Sequence, residues 1–435
     1  MPIRLAPQPR PASAPPETGR PGGRALAWAG IAFGLALAAY LADVAMHPLH
    51  LTFRFFDLNI YNHAGLLVRH APAALYTWHF LPGVQYLYTP FAALGFAAGS
   101  LLPWALLKWL MAAVSFAAVL LTVWVTFGQL GWCGRYRGAA ALGVGAVAMW
   151  MEPVLVSLQQ GQIELVLMAL IVADLCQPDS RRWKGAAVGL AAGIKLVPLI
   201  FIPYLLLAGK LRQAAVAAAA FAGTALFGFA VLPGESVRWW LTGYFLHSGH
   251  FSTLSLGSRR NQSLLAMVTR TPAGATSATA LWLGAAVAVG CLGLAAAARL
   301  DRSGQPTAGW VTCAVTGVLV SPISWDDHWV WIVPMLALLT DAAVRARLAC
   351  WAVAAAAAAV FAAWPIHIAG QRAFVPHGLV AFDTGPHPLA QIFHLHGFQL
   401  VSWNVYVLAG LGTFAFMLAW AAIAWRPGSV QPRGH

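Results

Sequence analysis

The chain is short of charge, above all of negative charge. Only 9% of its 435 residues are Asp, Glu, Lys or Arg, and only 13 are acidic. Soluble chains carry roughly a quarter charged residues, so a water-soluble globule of this length is excluded. The five cysteines form no CxxC pair and scatter through apolar or basic-flanked segments. That excludes a disulfide framework and a zinc site. No HExxH-type spacing is present; the adjacent Asp326-Asp327 is the only candidate metal pair, and no cofactor is implied. The net charge of +13 does not indicate nucleic-acid binding. Lys and Arg gather in short connections between apolar runs, as the positive-inside rule requires.

What is present is hydrophobic. Apolar residues make up 60% of the chain and the mean hydropathy is +0.70. Repeated apolar runs of about 20 residues specify an all-α polytopic integral membrane protein. The runs are rich in Gly and Ala, which lets helices approach closely. Residues 1–24, with Arg4, Arg10, Arg20 and Arg24, read as a disordered cytoplasmic tail. Residues 25–425 read as one transmembrane domain and 426–435 as a basic cytoplasmic tail. The run from Ala25 to Met46 is too long for a signal-peptide core and has no convincing cleavage site. It is expected to run from inside to outside.

Basic residues at 135 and 137, 181–184, 210 and 212, 299 and 302, and 345 and 347 mark the inside. Counting between them gives about ten full spans, or ten to twelve segments with the halves of a broken hairpin. Residues 139–156 and 163–176 are expected as one such pair of spans, out and back. Three long outer loops follow, 47–88, 233–262 and 365–400, and every histidine except His435 falls on the outer side. Amphipathic pieces of the first loop suit interfacial helices. The hairpin lies between Lys184 and Lys210, where about 25 apolar residues separate two inward flanks and two full spans need about 40. Gly193-Ile194-Lys195-Leu196-Val197-Pro198 sits in its middle. A break there, with Lys195 near its tip, is tolerated where it lines a protein cavity.

The outer face then gathers the chemistry. It holds the acids Asp57, Glu164, Asp326 and Asp327, the cationic group Arg54, Lys195, Arg259, Arg260 and His328, and many aromatics. Transfer from a lipid phosphate needs such a mixture. A carboxylate takes the proton of an acceptor hydroxyl, and cations stabilise charge growing on the departing phosphate. Asp57, set among aromatics in Phe53–His63, suits the base. Structural alternatives stand beside each assignment. Asp57 can cap a helix or pair with Arg54. Lys195 can snorkel, or pair with Glu164 or Glu152. Arg259-Arg260 can bind lipid headgroups. Asp326 can cap the helix after it. Tyr61, one turn from Asp57, can share its face or merely pack. Trp239-Trp240 suits an interfacial belt, and the histidines of the last loop a wet surface.

Several stretches, in this order and spacing, resemble glycosyltransferase family 87. They are Asp57–Tyr61, Tyr88-Thr89-Pro90, Gly161-Gln162-Ile163-Glu164-Leu165, Gly189–Pro198, Asn261-Gln262-Ser263-Leu264 and Ser321–His328. The family comprises polyprenyl-phosphate-mannose-dependent α-1,2-mannosyltransferases of the GT-C membrane class, including enzymes of phosphatidylinositol-mannoside and lipomannan assembly. The resemblance covers about residues 25–425 and implies a GT-C architecture. It implies an inverting transfer, outside the cytoplasmic membrane, from a β-linked polyprenyl-phosphate mannose to a lipid-linked mannoside acceptor. The family's base falls on Asp57, and its phosphate-contacting groups on Lys195, Arg259 or Arg260, and His328. Tyr61, Gln162, Glu164, Asn261, Gln262, Trp325, Asp326 and Asp327 are the implied substrate-contacting positions. Two departures stand out. Relatives often have Asn where Glu164 stands, and often read Ser-Trp-Asp-His-His where this chain reads Ser324-Trp325-Asp326-Asp327-His328.

Other classes remain open on the sequence. A transporter or lipid flippase would use the Lys195 break as a mid-membrane site reached from both sides. An assembly subunit with a dead site would tolerate loss of Asp57. Within the enzymes, a polyprenyl-phosphate pentose is an alternative donor.

Overall fold

The computed structural model describes residues 21–46, 55–81, 84–244, 256–271, 274–346, 348–367, 374–379, 395 and 397–424. Residues 1–20, Arg54, the end of the chain from 425, and His47, His50, His247, His250, Arg372, Asp383, His387, His394 and His396 lie outside the described residues. The expected tails and the expected Asp57–Arg54 pair fall with them.

The chain opens with ten helices: α1 (Pro21–Met46), α2 (Phe56–His70), α3 (Pro90–Gly99), α4 (Trp104–Gln129), α5 (Gly134–Met149), α6 (Glu152–Gln160), α7 (Glu164–Leu175), α8 (Ala186–Ile194), α9 (Phe201–Leu207) and α10 (Leu211–Val231). Longer helices follow at Gly274–Arg302, Pro306–Val320, Ile332–Ala346, Leu348–Phe361 and Val405–Ala424. Sheet is confined, among the described residues, to two small antiparallel hairpins, His79–Leu81 with Val84–Gln85 and Trp364–His367 with Phe374–His377. The chain is thus all-α and built for a membrane.

The span count differs from the sequence expectation. Five described helices are long and apolar enough to cross a bilayer, and six if the α6–α7 pair, bent by 118°, is one span. The expected span 139–156 is split, because α5 stops at Met149 and a new helix starts at Glu152 with Pro153 in its first turn. Proline is well placed in a first helical turn and poorly inside a helix. Apolar runs register hydrophobicity but not such breaks. The short pieces lie largely inside the protein: Pro306–Val320 is buried along nearly its whole length. Broken backbone is tolerated at membrane depth where protein surrounds it.

Small residues set the closest contacts. Gly185, Gly189 and Gly193 recur at four-residue spacing, so they share one face of α8. A Cβ on Gly189 would sit 2.1 Å from the Ala217 carbonyl oxygen, and one on Gly193 2.1 Å from Thr224 Oγ1. Helices α8 and α10 therefore touch backbone to backbone, the contact that small residues allow in a membrane. The Asp174 carboxylate caps α8, accepting from Gly185 N–H at 2.9 and 3.0 Å and Val188 N–H at 3.0 Å.

The first expected outer loop is folded. Helix α2 lies on α3, Tyr61 stacking on Phe96 with centroids 4.4 Å apart and planes at 3°. Such a stack contributes about 0.5–1.5 kcal/mol beyond area burial. Thr89 caps α3, its hydroxyl accepting from Ala92 N–H at 3.1 Å and donating to the Gly193 carbonyl at 2.5 Å. The Tyr88-Thr89-Pro90 motif thereby ties the first loop to the end of α8.

Candidate active site

The break expected around Lys195 is present. Helix α8 ends at Ile194, Lys195 is extended (φ −139°, ψ 135°), and a 3-10 turn at Val197–Ile200 leads into α9. A second break lies opposite. Gly161 closes α6 in the left-handed region (φ 65°), and Glu164 opens α7. Each break presents one charged side chain, and the two meet: Lys195 Nζ donates to Glu164 Oε1. Lys195 also lies 3.0 Å from His328 Nε2 and 5.6 Å above the Tyr88 ring. Of the sequence alternatives for Lys195, pairing with Glu164 is what the structure contains.

Asp57 enters from a third side. The expectation that it might cap α2 does not hold. Phe55 occupies the cap position, itself left-handed (φ 63°), and makes no side-chain cap bond. Asp57 is instead the second residue of the helix, where the helix dipole favours a carboxylate. Phe55 N–H donates to the Gln159 carbonyl at 2.5 Å, which fastens the start of α2 to the end of α6. The half-buried carboxyl is raised to about 6, first by loss of water around it; Arg260 and Lys195 oppose the rise and Asp326 adds to it. Four chain segments therefore converge on one electrostatic centre.

The fourth segment is Ser324–His328, paired with 258–262. Asn261 and Trp325 form an antiparallel bridge, Gln262 N–H donates to Ser324 O at 2.6 Å, and Asp326 N–H donates to Arg260 O at 2.9 Å. The Arg260 guanidinium grips Asp326 through Nε to Oδ2 at 2.9 Å and Nη2 to Oδ1 at 2.9 Å. This fork holds Arg260 while 45% of its side chain stays exposed. Asp326 is not the side-chain cap of the following turn; Trp325 has the cap position. Arg259 lies 5.9 Å from the Trp403 ring.

One expectation about charge changes. The sequence places His328 among the cations, but burial and the neighbouring Lys195 hold its pKa well below the ordinary value, so it is neutral. Its Nε2 accepts from Lys195, and the ring is also hydrogen-bonded to the Ile323 backbone. It orients the ammonium rather than adding a second positive charge.

Several residues expected to touch substrate are braces. Asn261 and Gln262 are fully buried. The Asn261 amide donates to Leu256 O at 3.0 Å and accepts from Ser324 N–H at 3.0 Å. The Gln262 amide donates to Trp403 O at 2.7 Å and accepts from Tyr406 N–H at 3.0 Å. Gln162 Oε1 accepts from the Tyr61 hydroxyl, from the Tyr88 hydroxyl at 3.0 Å and from Ile163 N–H at 2.9 Å. Tyr61, Tyr88 and Gln162 thus form one hydrogen-bonded cluster, which Tyr61 joins one helical turn after Asp57. Trp325 is half-buried next to Asp326. Among the described residues no group of three or more His, Cys, Asp or Glu is arranged around a metal position.

Sequence reasoning missed Arg270. It is fully buried, and its guanidinium donates to carbonyls of Gly257 at 3.2 Å, Asn261 at 2.6 Å and Trp403 at 2.7 Å, to Ser258 O, and to Asn404 Oδ1 at 2.6 Å. It shapes the segment that carries Arg259 and Arg260. The available signal was an arginine on the expected outer side, against the charge bias.

Residues 86–322 match the family model of glycosyltransferase family 87. The chain belongs to glycosyltransferase family 87. A relative from Mycobacterium tuberculosis strain H37Rv is named a polyprenol-phosphate-mannose-dependent alpha-(1-2)-phosphatidylinositol mannoside mannosyltransferase; it is 29% identical over 381 residues, 82% of this chain and 86% of its own. A relative of the same name from Mycolicibacterium smegmatis is 31% identical, over 65% of this chain and 67% of its own. A phosphatidylinositol pentamannoside mannosyltransferase of M. tuberculosis strain CDC 1551 is 30% identical, over 67% of this chain and 68% of its own. No solved structure matches. The family 87 match spans Glu164, Lys195 and Arg260, and stops at Pro322, just before Asp326–His328.

Proposed function

We propose that this family 87 glycosyltransferase moves a mannosyl residue from polyprenyl-phosphate mannose to a hydroxyl of a lipid-linked mannoside, with inversion and an α-1,2 product. The relatives' names supply the donor and acceptor class. The observation that carries the mechanism is the convergence of Asp57, Lys195 and Arg260 from separate segments on one centre.

Asp57 is the base. It takes the proton of the acceptor hydroxyl as that oxygen attacks the anomeric carbon from the face opposite the phosphate. The bond from the anomeric carbon to the phosphate oxygen breaks, and its electron pair leaves with the phosphate. Lys195 and the exposed part of Arg260 oppose the charge that grows there. Glu164 and Asp326 fix these two cations, and His328 orients the ammonium. The apolar helices around the site accommodate both polyprenyl and acyl chains in the bilayer. The site faces the extracytoplasmic side of the cytoplasmic membrane, a placement supported by the distribution of basic residues.

The deciding experiment is sugar transfer by purified protein in detergent, with polyprenyl-phosphate mannose and a mannosylated phosphoinositide. Wild type should form product, and Asp57→Asn should lose about 10²–10⁴-fold in turnover. Near-normal turnover in Asp57→Asn removes the carboxylate from the role. Product only from a polyprenyl-phosphate pentose corrects the sugar.

A further inference from the structure

The four carboxylates of the site are not equivalent. Glu164 is paired with Lys195, and Asp326 with Arg260. Asp57 and Asp327 are left over, and only Asp57 has a task in the transfer described above. Asp327 is 3% exposed, and its Oδ2 has no hydrogen-bond donor among the described residues. That oxygen lies 3.8 Å from His328 Nε2, whose lone pair is already taken by Lys195. Its Oδ1 is 4.0 Å from Arg260 Nη2, beyond hydrogen-bond reach. An ionised carboxylate so placed would keep Oδ2 buried without a donor among the described residues, a costly state. A protonated one has an O–H to give and an acceptor still to find.

We propose that Asp327 is a second catalytic residue, a neutral carboxylic acid that hydrogen-bonds the donor phosphate and gives it a proton as it departs. The proposal rests on the mannosyl transfer above. The two cations that would hold that phosphate are the nearest positive neighbours of Asp327. Protons balance. The acceptor O–H bond breaks and its proton goes to Asp57. The Asp327 O–H bond breaks and its proton goes to a phosphate oxygen that has just received the electron pair of the broken glycosyl bond. The leaving group is then a singly charged phosphomonoester. Exchange with solvent afterwards deprotonates Asp57 and reprotonates Asp327. A phosphomonoester dianion takes up a proton near pH 6, so the transfer runs between groups of similar basicity, both poised near neutral pH.

The surroundings agree. Asp327 faces Asp57 on α2, Lys195 at the break, Arg260 on the paired strand segment, and Asp326 and His328 on its own turn; Glu164 on α7 lies 3.5 Å from that same His328 nitrogen. Burial first, then Asp326 and Asp57, raise Asp327 to about 7, whereas Asp57 stands at about 6. Two neighbouring carboxyls that burial raises unequally can divide the roles of base and acid between them.

The test is turnover at saturating donor and acceptor from pH 5 to 9.5, for wild type and Asp327→Asn. Wild type should lose turnover above about pH 7. Asp327→Asn keeps size and a hydrogen-bond donor but no transferable proton. Its turnover at pH 7 should fall by about 10²-fold, with the donor KM nearly unchanged and the fall that begins near pH 7 gone, leaving only the later fall as the Lys195 ammonium loses its proton. An alkaline fall in Asp327→Asn that begins at the same pH as in wild type belongs to Lys195 in both and overturns the proposal. A wild-type profile flat from pH 7 to 9 overturns it without any variant, so misfolding of Asp327→Asn leaves the question decidable. Transfer that depends on Asp57 but lacks the alkaline limb sinks this inference alone. Absence of transfer by wild type sinks the mannosyl-transfer reading and this one with it.

Discussion

Gly161 lies against Leu58 so closely that a Cβ on the glycine would be 2.7 Å from Leu58 Cβ and 2.9 Å from Phe55 Cδ1. The residue that turns the chain between α6 and α7 is thus also the seat of the first turn of α2, and Asp57 stands on that turn. Gly161→Ala meets two penalties, a left-handed φ of 65° and this contact. We expect a loss of about 1–3 kcal/mol in stability, and turnover reduced by more than the donor KM is raised if Asp57, which this displaces, is the base proposed above. Gly143→Ala is the control. It lies inside α5 with nothing within 4 Å and should gain about 0.5–1 kcal/mol. Thermal unfolding and turnover, measured side by side, separate the two. Equal turnover in both variants would show that Gly161 does not position Asp57.

The Lys195–Glu164 pair separates structure from catalysis. Their side chains are 16% and 13% exposed. Removing one partner leaves a largely buried charge, which costs about 3–5 kcal/mol. Lys195→Met should therefore lower both stability and turnover. In Lys195→Met with Glu164→Gln, stability should recover and turnover should not. Recovery of both would reduce Lys195 to a structural cation.

Much of this site was legible in the sequence, and the parts that were not share a cause. The break at Lys195 could be read because a lysine and a proline interrupt a run too short for two spans. Pairing with Glu164 was among the options, since few acids exist to choose from. The burial of Asn261 and Gln262 was not legible. A polar side chain in a loop reads as ligand-facing until its amide is seen to satisfy backbone groups of other segments. The neutrality of His328 depends on burial and on an ammonium 133 residues away in sequence. The short interior helices escaped because an apolar count is blind to where backbone must break.

Arg260 offers a test of geometry against charge. Its fork meets Asp326 at two oxygens, and lysine cannot reproduce that fork. Arg260→Lys keeps the charge but frees it from its place. A charge-assisted hydrogen bond is worth about 1.5–3 kcal/mol, so the donor KM or turnover should worsen by about 10–100-fold. Initial rates against donor concentration decide it. An unchanged donor response would leave Arg260 as a partner for Asp326 only.

Stability and activity should respond to pH in opposite directions through Asp57. Its carboxyl is raised from the ordinary 3.8 to about 6, chiefly by burial. The folded protein therefore holds this proton more tightly than the unfolded chain does. Between those two values the folded state binds more protons, so stability falls as pH rises through the window and levels off above about 6. Base catalysis needs the ionised form, so turnover rises through the same window. Unfolding temperature and turnover from pH 4 to 7 should thus cross for wild type. In Asp57→Asn the Asp57 share of the stability slope should vanish, leaving the shares of other raised carboxyls such as Asp327. An identical stability slope in wild type and Asp57→Asn would mean that Asp57 ionises as an ordinary surface carboxylate, and that the cluster around it does not set its charge.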